Sequence, residues 1–156
     1  MGLPGNGTVP AVFSERIWLA KQAGRQVLEM ISRDIKPSDI MTPASLRNTF
    51  VIDMAMGGST NSVLHFMAIA REAGIDFSIG ELNEIRLSTP QLVKLAPASN
   101  LHITDYYHAG GMQGLITRIT DLLDTSVMTV TGRTMGENAA SAQVYNEEVI
   151  RPRSKP

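Results

Sequence analysis

The stretch "TPASLRNTFVIDMAMGGSTNSVLHF", Thr42 to Phe66, decides whether the middle of the chain is helical or extended. Its centre, "FVIDMAM", is a short apolar run. Taken alone it fits a buried strand as well as a buried helix, because periodicity does not separate the two at that length. Thr42 followed by Pro43 breaks the tie. A hydroxyl at the N-cap accepts an unpaired backbone N–H, and proline in the first turn lacks the N–H that would go unpaired there. The reading is a helix from Pro43 to about Met56, with Leu46, Phe50 and Met54 inward and Val51 and Ala55 as further core candidates. Gly57-Gly58 ends it. Ser59 or Thr60 caps a second helix that runs to about Ala73 and stops at Gly74. Val63, Leu64, Phe66, Met67, Ile69 and Ala70 cover most of that helix's circumference. Such a helix is either central or covered by something larger than this chain.

Working outward, "LPGNGTVP" (Leu3 to Pro10) holds two turn dipeptides, Pro4-Gly5 and Asn6-Gly7. A long helix follows, from about Val12 to Arg33. Phe13, Ile17, Ala20, Gly24, Val27, Leu28 and Ile31 form one stripe at three- and four-residue steps. "DIKPSDIMTP" interrupts the pattern, since Pro37 disfavours helix at Lys36. Downstream, "GIDFSI" is a short strand candidate, and Ser78 caps a helix through Leu87. "QLVKLAP" is ambiguous. Thr104 is a candidate cap for a short helix, "DYYHA", stopped by Gly110-Gly111. An amphipathic helix is expected from about Met112 to Leu123. "SVMTVTG" (Ser126 to Gly132) is the clearest strand, and "RTMGENAA" resembles a loop entering a short helix. The tail from 149 to 156 is basic and proline-rich and reads as a linker. The balance is a helix-rich α/β class with few, short strands.

The 156 residues carry 43% hydrophobic and 19% charged side chains, which is enough apolar material for a core and excludes a disordered chain. The net charge of -1 comes from scattered residues, so no footprint for nucleic acid or an anionic membrane is visible. The chain contains no cysteine. It therefore cannot build a disulfide scaffold, thiol chemistry or a cysteine-ligated metal site by itself. The cysteine count fits a cytosolic protein, and no stretch reaches the ~18 apolar residues of a membrane helix.

Three glycine turns enter helices: "GGSTN", "HAGGM" and "TGRTMGEN". Helix mouths offer unpaired N–H groups and a positive dipole end, both favourable to anions. None has the spacing of a nucleotide-binding fingerprint, and each by itself also reads as a plain joint between helices. Ser59 is not in a G-x-S-x-G elbow. Asn61 and His65 are four apart and share a helix face, either touching a ligand or satisfying one another as a buried pair. Asp53 lies one helical turn before the glycines. With His65 it lacks a third ligand at metal-binding spacing. His102, Asp105 and His108 read as surface polar groups, and Tyr106-Tyr107 as packing. The residues thus describe a domain with several helix mouths and no complete catalytic set.

Eight segments stand in order: "LPGNGTVPA" at Leu3, "ERIWLAKQAGR" at Glu15, "DIKPSDIMT" at Asp34, "DMAMGGSTNSVLH" at Asp53, "AIAREAGID" at Ala68, "LAPAS" at Leu95, "HAGGM" at His108 and "MTVTGRTMGEN" at Met128. In this order and spacing the chain resembles the dihydroxy-acid and sugar-acid dehydratase family over nearly its whole length. "LAPAS" and "IKPSDIMT" are more similar to the dihydroxy-acid branch. The resemblance implies a hydro-lyase that removes water from a 2,3-dihydroxy carboxylate to give an enol and then a 2-keto acid, serving branched-chain amino acid synthesis. It implies an iron–sulfur cluster acting as Lewis acid on the leaving hydroxyl, and a magnesium ion that helps hold the substrate. The family's cluster and magnesium ligands lie in segments upstream, and its catalytic serine in a C-terminal β-barrel.

The resemblance therefore implies that residues 1–148 are the later part of an N-terminal three-layer α/β/α domain with a small, mostly parallel sheet, and 149–156 a linker toward the barrel. No catalytic, cofactor-binding or metal residue carries over to this chain, and no cofactor is expected on it alone. Its expected partners are the missing N- and C-terminal parts of the same enzyme, a homodimer of the cytoplasm or an organelle matrix, with no nucleic acid and no membrane. Ser59, Thr60, Asn61 and His65 are the residues expected at the wall of a pocket that other segments complete, or just behind it. The alternatives are a sugar-acid dehydratase fragment and a free-standing module that binds a small anion or another chain.

Overall fold

The computed structural model describes residues 2–156. Among them eight α-helices follow one another: α1 (Glu15–Ser32), α2 (Pro37–Ile40), α3 (Pro43–Met56), α4 (Thr60–Glu72), α5 (Ile79–Ser88), α6 (Ile103–His108), α7 (Gly111–Arg118) and α8 (Met135–Ala139). A 3-10 turn at Thr120–Leu122 separates the last two. Thr42 acts as its position predicts. Its Oγ1 accepts the Ser45 N–H at 3.2 Å, and Ser45 Oγ accepts the Thr42 N–H at 2.9 Å in return. Gly57 closes α3 in the left-handed conformation, at φ 75°. A Cβ on the next glycine, Gly58, would stand 2.0 Å from Asp53 Oδ1. One glycine turns the chain and the other leaves room for a carboxylate.

α3 is the central element, packed against α4, α5 and α7. Leu46, Phe50, Val51 and Ala55 are all buried, so apolar side chains leave this helix in several directions, as a helix covered on most sides requires. Phe50 stacks on Phe77 with ring centroids 4.8 Å apart and meets Phe66 edge-on at 5.4 Å. Asn48 is buried too. Its Nδ2 donates to the Asp124 carbonyl at 2.7 Å and its Oδ1 accepts the Asp124 N–H at 2.9 Å, which docks a distant loop on α3. Ile85 of α5, Leu92, Val93, Tyr106 of α6, and Leu115 and Ile119 at α7 complete the core. Val149 and Ile150 are buried in it as well, and the Arg151 N–H reaches the Leu92 carbonyl at 3.0 Å. The start of the 149–156 segment is therefore part of the packed body, with Arg153 pairing to Asp121 beyond it.

Several expectations are corrected. The described residues contain no sheet; the helix-rich part of the reading holds. "SVMTVTG" forms only one antiparallel bridge, Met128 to Thr134. No second strand is there to extend the ladder, and the Thr129 hydroxyl bonds locally, donating to the Arg133 carbonyl and accepting from Asn138 Nδ2. "GIDFSI" is a helix exit instead of a strand: the Ile75 N–H bonds the Ala70 carbonyl at 2.8 Å and Phe77 dives onto Phe50. The segment at Pro37 does not merely interrupt helix but forms the short α2, with Asp39 Oδ2 accepting the Lys36 N–H. α6 is capped by position at His102, because Asp105 reaches back to the His102 N–H at 2.7 Å, and Thr104 lies inside it. The helix expected to reach Leu123 stops at Arg118. Of the two readings of α4, central or covered by something larger than this chain, the first does not hold: of its residues only Ala70 is fully buried, and Leu64 is 71% exposed.

Candidate functional site

A cavity of about 370 Å³ opens where α3, α4 and α7 meet the N-terminal loop and the loop before α8. Four of the sequence motifs converge on it. Gly2 to Gly7 form one wall. Two turns shape that wall, Asn6 N–H to the Leu3 carbonyl at 2.9 Å and Thr8 N–H to the Gly5 carbonyl at 3.1 Å. Asp53 and Met56 stand on the α3 side, Met112 and Gln113 on the α7 side, and Thr129, Met135 and Asn138 close the far rim. Ile52, Phe66 and Ile116 make much of the remaining surface apolar.

The polar groups in this apolar setting are few. Asp53 is buried, and its Oδ2 accepts a hydrogen bond from Ser62 Oγ at 2.9 Å. Burial pushes its carboxyl above the ordinary carboxylate range, and the Ser62 bond offsets part of that shift. Gln113 Oε1 is buried with no partner among the described residues. The residue lines the cavity, but this oxygen is itself shut away from solvent. Thr129, Thr131 and Asn138 form a closed set at the rim: Thr131 Oγ1 donates to Asn138 Oδ1 at 3.0 Å, and Asn138 Nδ2 donates to Thr129 Oγ1 at 2.7 Å. These bonds tie the rim side chains to one another. The site combines a buried carboxyl whose proton affinity is raised, an unpaired amide carbonyl and a hydrogen-bonded hydroxyl–amide pair. The hydroxyl and amide groups suit the hydroxyls of a small polyhydroxy molecule, and among the described residues no cationic side chain lines the cavity, so a counter-charge for a carboxylate would come from other segments.

Asp53 yields an expected pH effect. The folded state holds the Asp53 proton more tightly than the unfolded chain does. As pH rises from the ordinary aspartate value near 3.8 through the raised folded value, the unfolded chain ionises first and the native state loses stability. Asp53→Asn removes this titration. Urea unfolding from acid to neutral pH is expected to show a smaller loss of stability in the variant; parallel curves for the two proteins would contradict the assignment.

Ser59, Thr60, Asn61 and His65 are all exposed, and none of them lines the cavity. Ser59 occupies the N-cap of α4 without a side-chain bond. Its carbonyl accepts from Ser62 Oγ, the hydroxyl that also reaches Asp53. Asn61 and His65 share a face as expected, but it is the solvent face, so they are not a buried pair. His102 and His108 are exposed and Tyr106 is fully buried, in line with the reading of surface and packing. Sequence reasoning passed over Gln113, Thr129 and Asn138. The available signal was that all three lie in or beside glycine turns already marked as helix mouths. Among the described residues no group of three His, Asp or Glu side chains could hold a metal ion, and no helix is long and apolar enough to cross a membrane.

Residues 1–138 match the family described as dihydroxy-acid/6-phosphogluconate dehydratase, N-terminal. Among curated relatives, the dihydroxy-acid dehydratases of Caldanaerobacter subterraneus subsp. tengcongensis and Acetivibrio thermocellus are each 50% identical over 158 aligned residues. That of Desulfitobacterium hafniense is 49% identical. Each alignment covers 100% of this chain and 28% of the relative, so the chain spans little more than a quarter of their length. The motifs that build the cavity lie within the matched region, and the chain belongs to the dihydroxy-acid/6-phosphogluconate dehydratase family, in its N-terminal part.

Proposed function

We propose that this chain is a segment of a hydro-lyase that dehydrates 2,3-dihydroxy carboxylates to 2-keto acids in branched-chain amino acid synthesis, and that its cavity is part of the substrate-pocket wall. The observation that carries the reading is the convergence of four family-like segments on one cavity whose polar groups suit a polyhydroxy ligand. In this role the Gln113 side chain turns its buried, unpaired carbonyl oxygen into the cavity to accept a bond from a substrate hydroxyl. Asp53 orders the α3–α4 joint by accepting the Ser62 hydroxyl. Met112, Ile52 and Phe66 keep bulk water from the reacting carbon atoms. Ser59, Thr60, Asn61 and His65 would face other segments of the parent enzyme, behind this wall.

The cofactors of the family do not fit the residues of this chain. An iron–sulfur cluster is held by cysteine thiolates, and the chain has none. The lone cavity carboxylate, Asp53, is already engaged by Ser62. Both the cluster and magnesium would be held by other segments, which would supply the Lewis-acid chemistry on the leaving hydroxyl. The same segments would add the parallel sheet of a three-layer domain, a linker and barrel beyond residue 148, and the contacts of a cytoplasmic or organelle-matrix homodimer. The purified 156-residue chain is expected to show no iron–sulfur absorbance after reconstitution and no dehydration of 2,3-dihydroxyisovalerate. Turnover by the chain alone would overturn the reading of it as a segment.

A further inference from the structure

We propose that the outward apolar stripe of α1 is the seam on which the remaining segments of the parent polypeptide pack, an inference that rests on the segment reading above. α1 contains no fully buried residue. Its half-buried face carries Leu19, Gln22, Gln26 and Met30, and Gln26 Nε2 is shut away from solvent with no partner among the described residues. The opposite face carries Ile17, Val27, Leu28 and Ile31, which are 65%, 53%, 69% and 70% exposed. A helix at the surface of a completed domain is turned the other way, apolar stripe inward and amides outward. The stripe read from the sequence is therefore present, but it faces solvent.

Gly24 sits in the middle of this stripe. A Cβ there would meet nothing within 4 Å. A mid-helix glycine weakens its helix and needs a packing reason, which this chain does not itself provide. The close approach of another backbone provides one. The occupant is argued from length: the curated relatives extend far beyond the 28% that this chain matches. Segments joined in one polypeptide meet such a face at high effective concentration, ahead of a second copy in free solution.

The absence of cysteine makes the test clean. Leu28→Cys, on the stripe, and Glu29→Cys, exposed beside it, each introduce a single thiol. Each variant is co-expressed with the remaining segments of the Caldanaerobacter enzyme, and maleimide labelling is counted on the 156-residue chain by intact mass. In the chain alone the two thiols are expected to label at similar rates. In the co-purified complex Leu28→Cys is expected to slow by at least about tenfold while Glu29→Cys is unchanged. A complex in which Leu28→Cys still labels at full rate overturns the seam and leaves the segment reading intact. Protection of Leu28→Cys in the chain alone as its concentration rises identifies a second copy as the occupant and overturns the proposal. Gly24→Leu is expected to keep or raise the melting temperature of the chain alone while reducing the yield of complex by at least about tenfold. Undiminished yield would contradict the seam.

Discussion

Gly110→Ala is expected to destabilise the chain by about 3–5 kcal/mol, enough to unfold an ordinary domain at moderate temperature. Two costs combine. Gly110 adopts φ 119°, a conformation that L side chains rarely take, and forcing alanine into it costs on the order of 1–3 kcal/mol. A Cβ there would also stand 2.3 Å from the Gln143 carbonyl oxygen, which is backbone and has no rotamer by which to withdraw. The contact lies at the start of α7, where the Tyr145 N–H also bonds the Ala109 carbonyl at 2.9 Å. Relief would pull the 143–150 segment away from α7 and with it Val149 and Ile150 from the core. Thermal or urea unfolding checks this, with Gly24→Ala as the control. In the control the added Cβ meets open space within a helix and is expected to be neutral or slightly stabilising. Equal stability of Gly110→Ala and the native chain would show that α7 and the 143–150 segment do not meet as described.

Phe50→Ala has a comparable expected cost, about 3–5 kcal/mol, and a second consequence at the cavity. The ring is fully buried between Phe77 and Phe66. Removing it loses the transfer energy of the ring, two aromatic contacts and the filling of the space around them. Phe66 lines the cavity and is held edge-on by Phe50, so its ring should gain freedom in the variant. Urea unfolding gives the first effect, and the ring resonances of Phe66 in a nuclear magnetic resonance spectrum give the second. Phe50→Leu, which keeps most of the volume, is expected to lose less stability. A loss of less than about 1 kcal/mol in Phe50→Ala would contradict the central place of α3.

Local signals in the sequence were sound where a single turn of chain contained both the donor and the acceptor. Thr42-Pro43, Ser78 and the closing Gly57 each settle a helix end within four residues, and α3 and α5 follow from them. Burial was harder to read. The apolar periodicity of α1 and α4 is real, yet which side each helix shows to the core depends on packing between distant segments. "SVMTVTG" has the composition of a strand and lacks a neighbouring strand, so its threonines bond to their own turn. The candidate site was legible as a set of motifs but not as a set of side chains. "GGSTN" drew notice to Ser59, Thr60, Asn61 and His65, whereas the side chains that reach the cavity, Asp53 and Gln113, sit just before one glycine turn and just after another. An amide without a partner becomes visible only once its surroundings are known.

Replacing the matched segment of the Caldanaerobacter dihydroxy-acid dehydratase with these 156 residues, and measuring dehydration of 2,3-dihydroxyisovalerate by the purified chimera, tests whether this chain builds one wall of a dehydratase pocket. The expected result is turnover within about tenfold of the parent enzyme, a difference of at most ~1.4 kcal/mol in the barrier. Gln113→Leu in the same chimera should reduce that turnover while the parent's iron–sulfur absorbance remains. A chimera that folds and carries that absorbance yet dehydrates nothing, or one that loses no turnover on Gln113→Leu, would contradict the assignment of the cavity to the substrate.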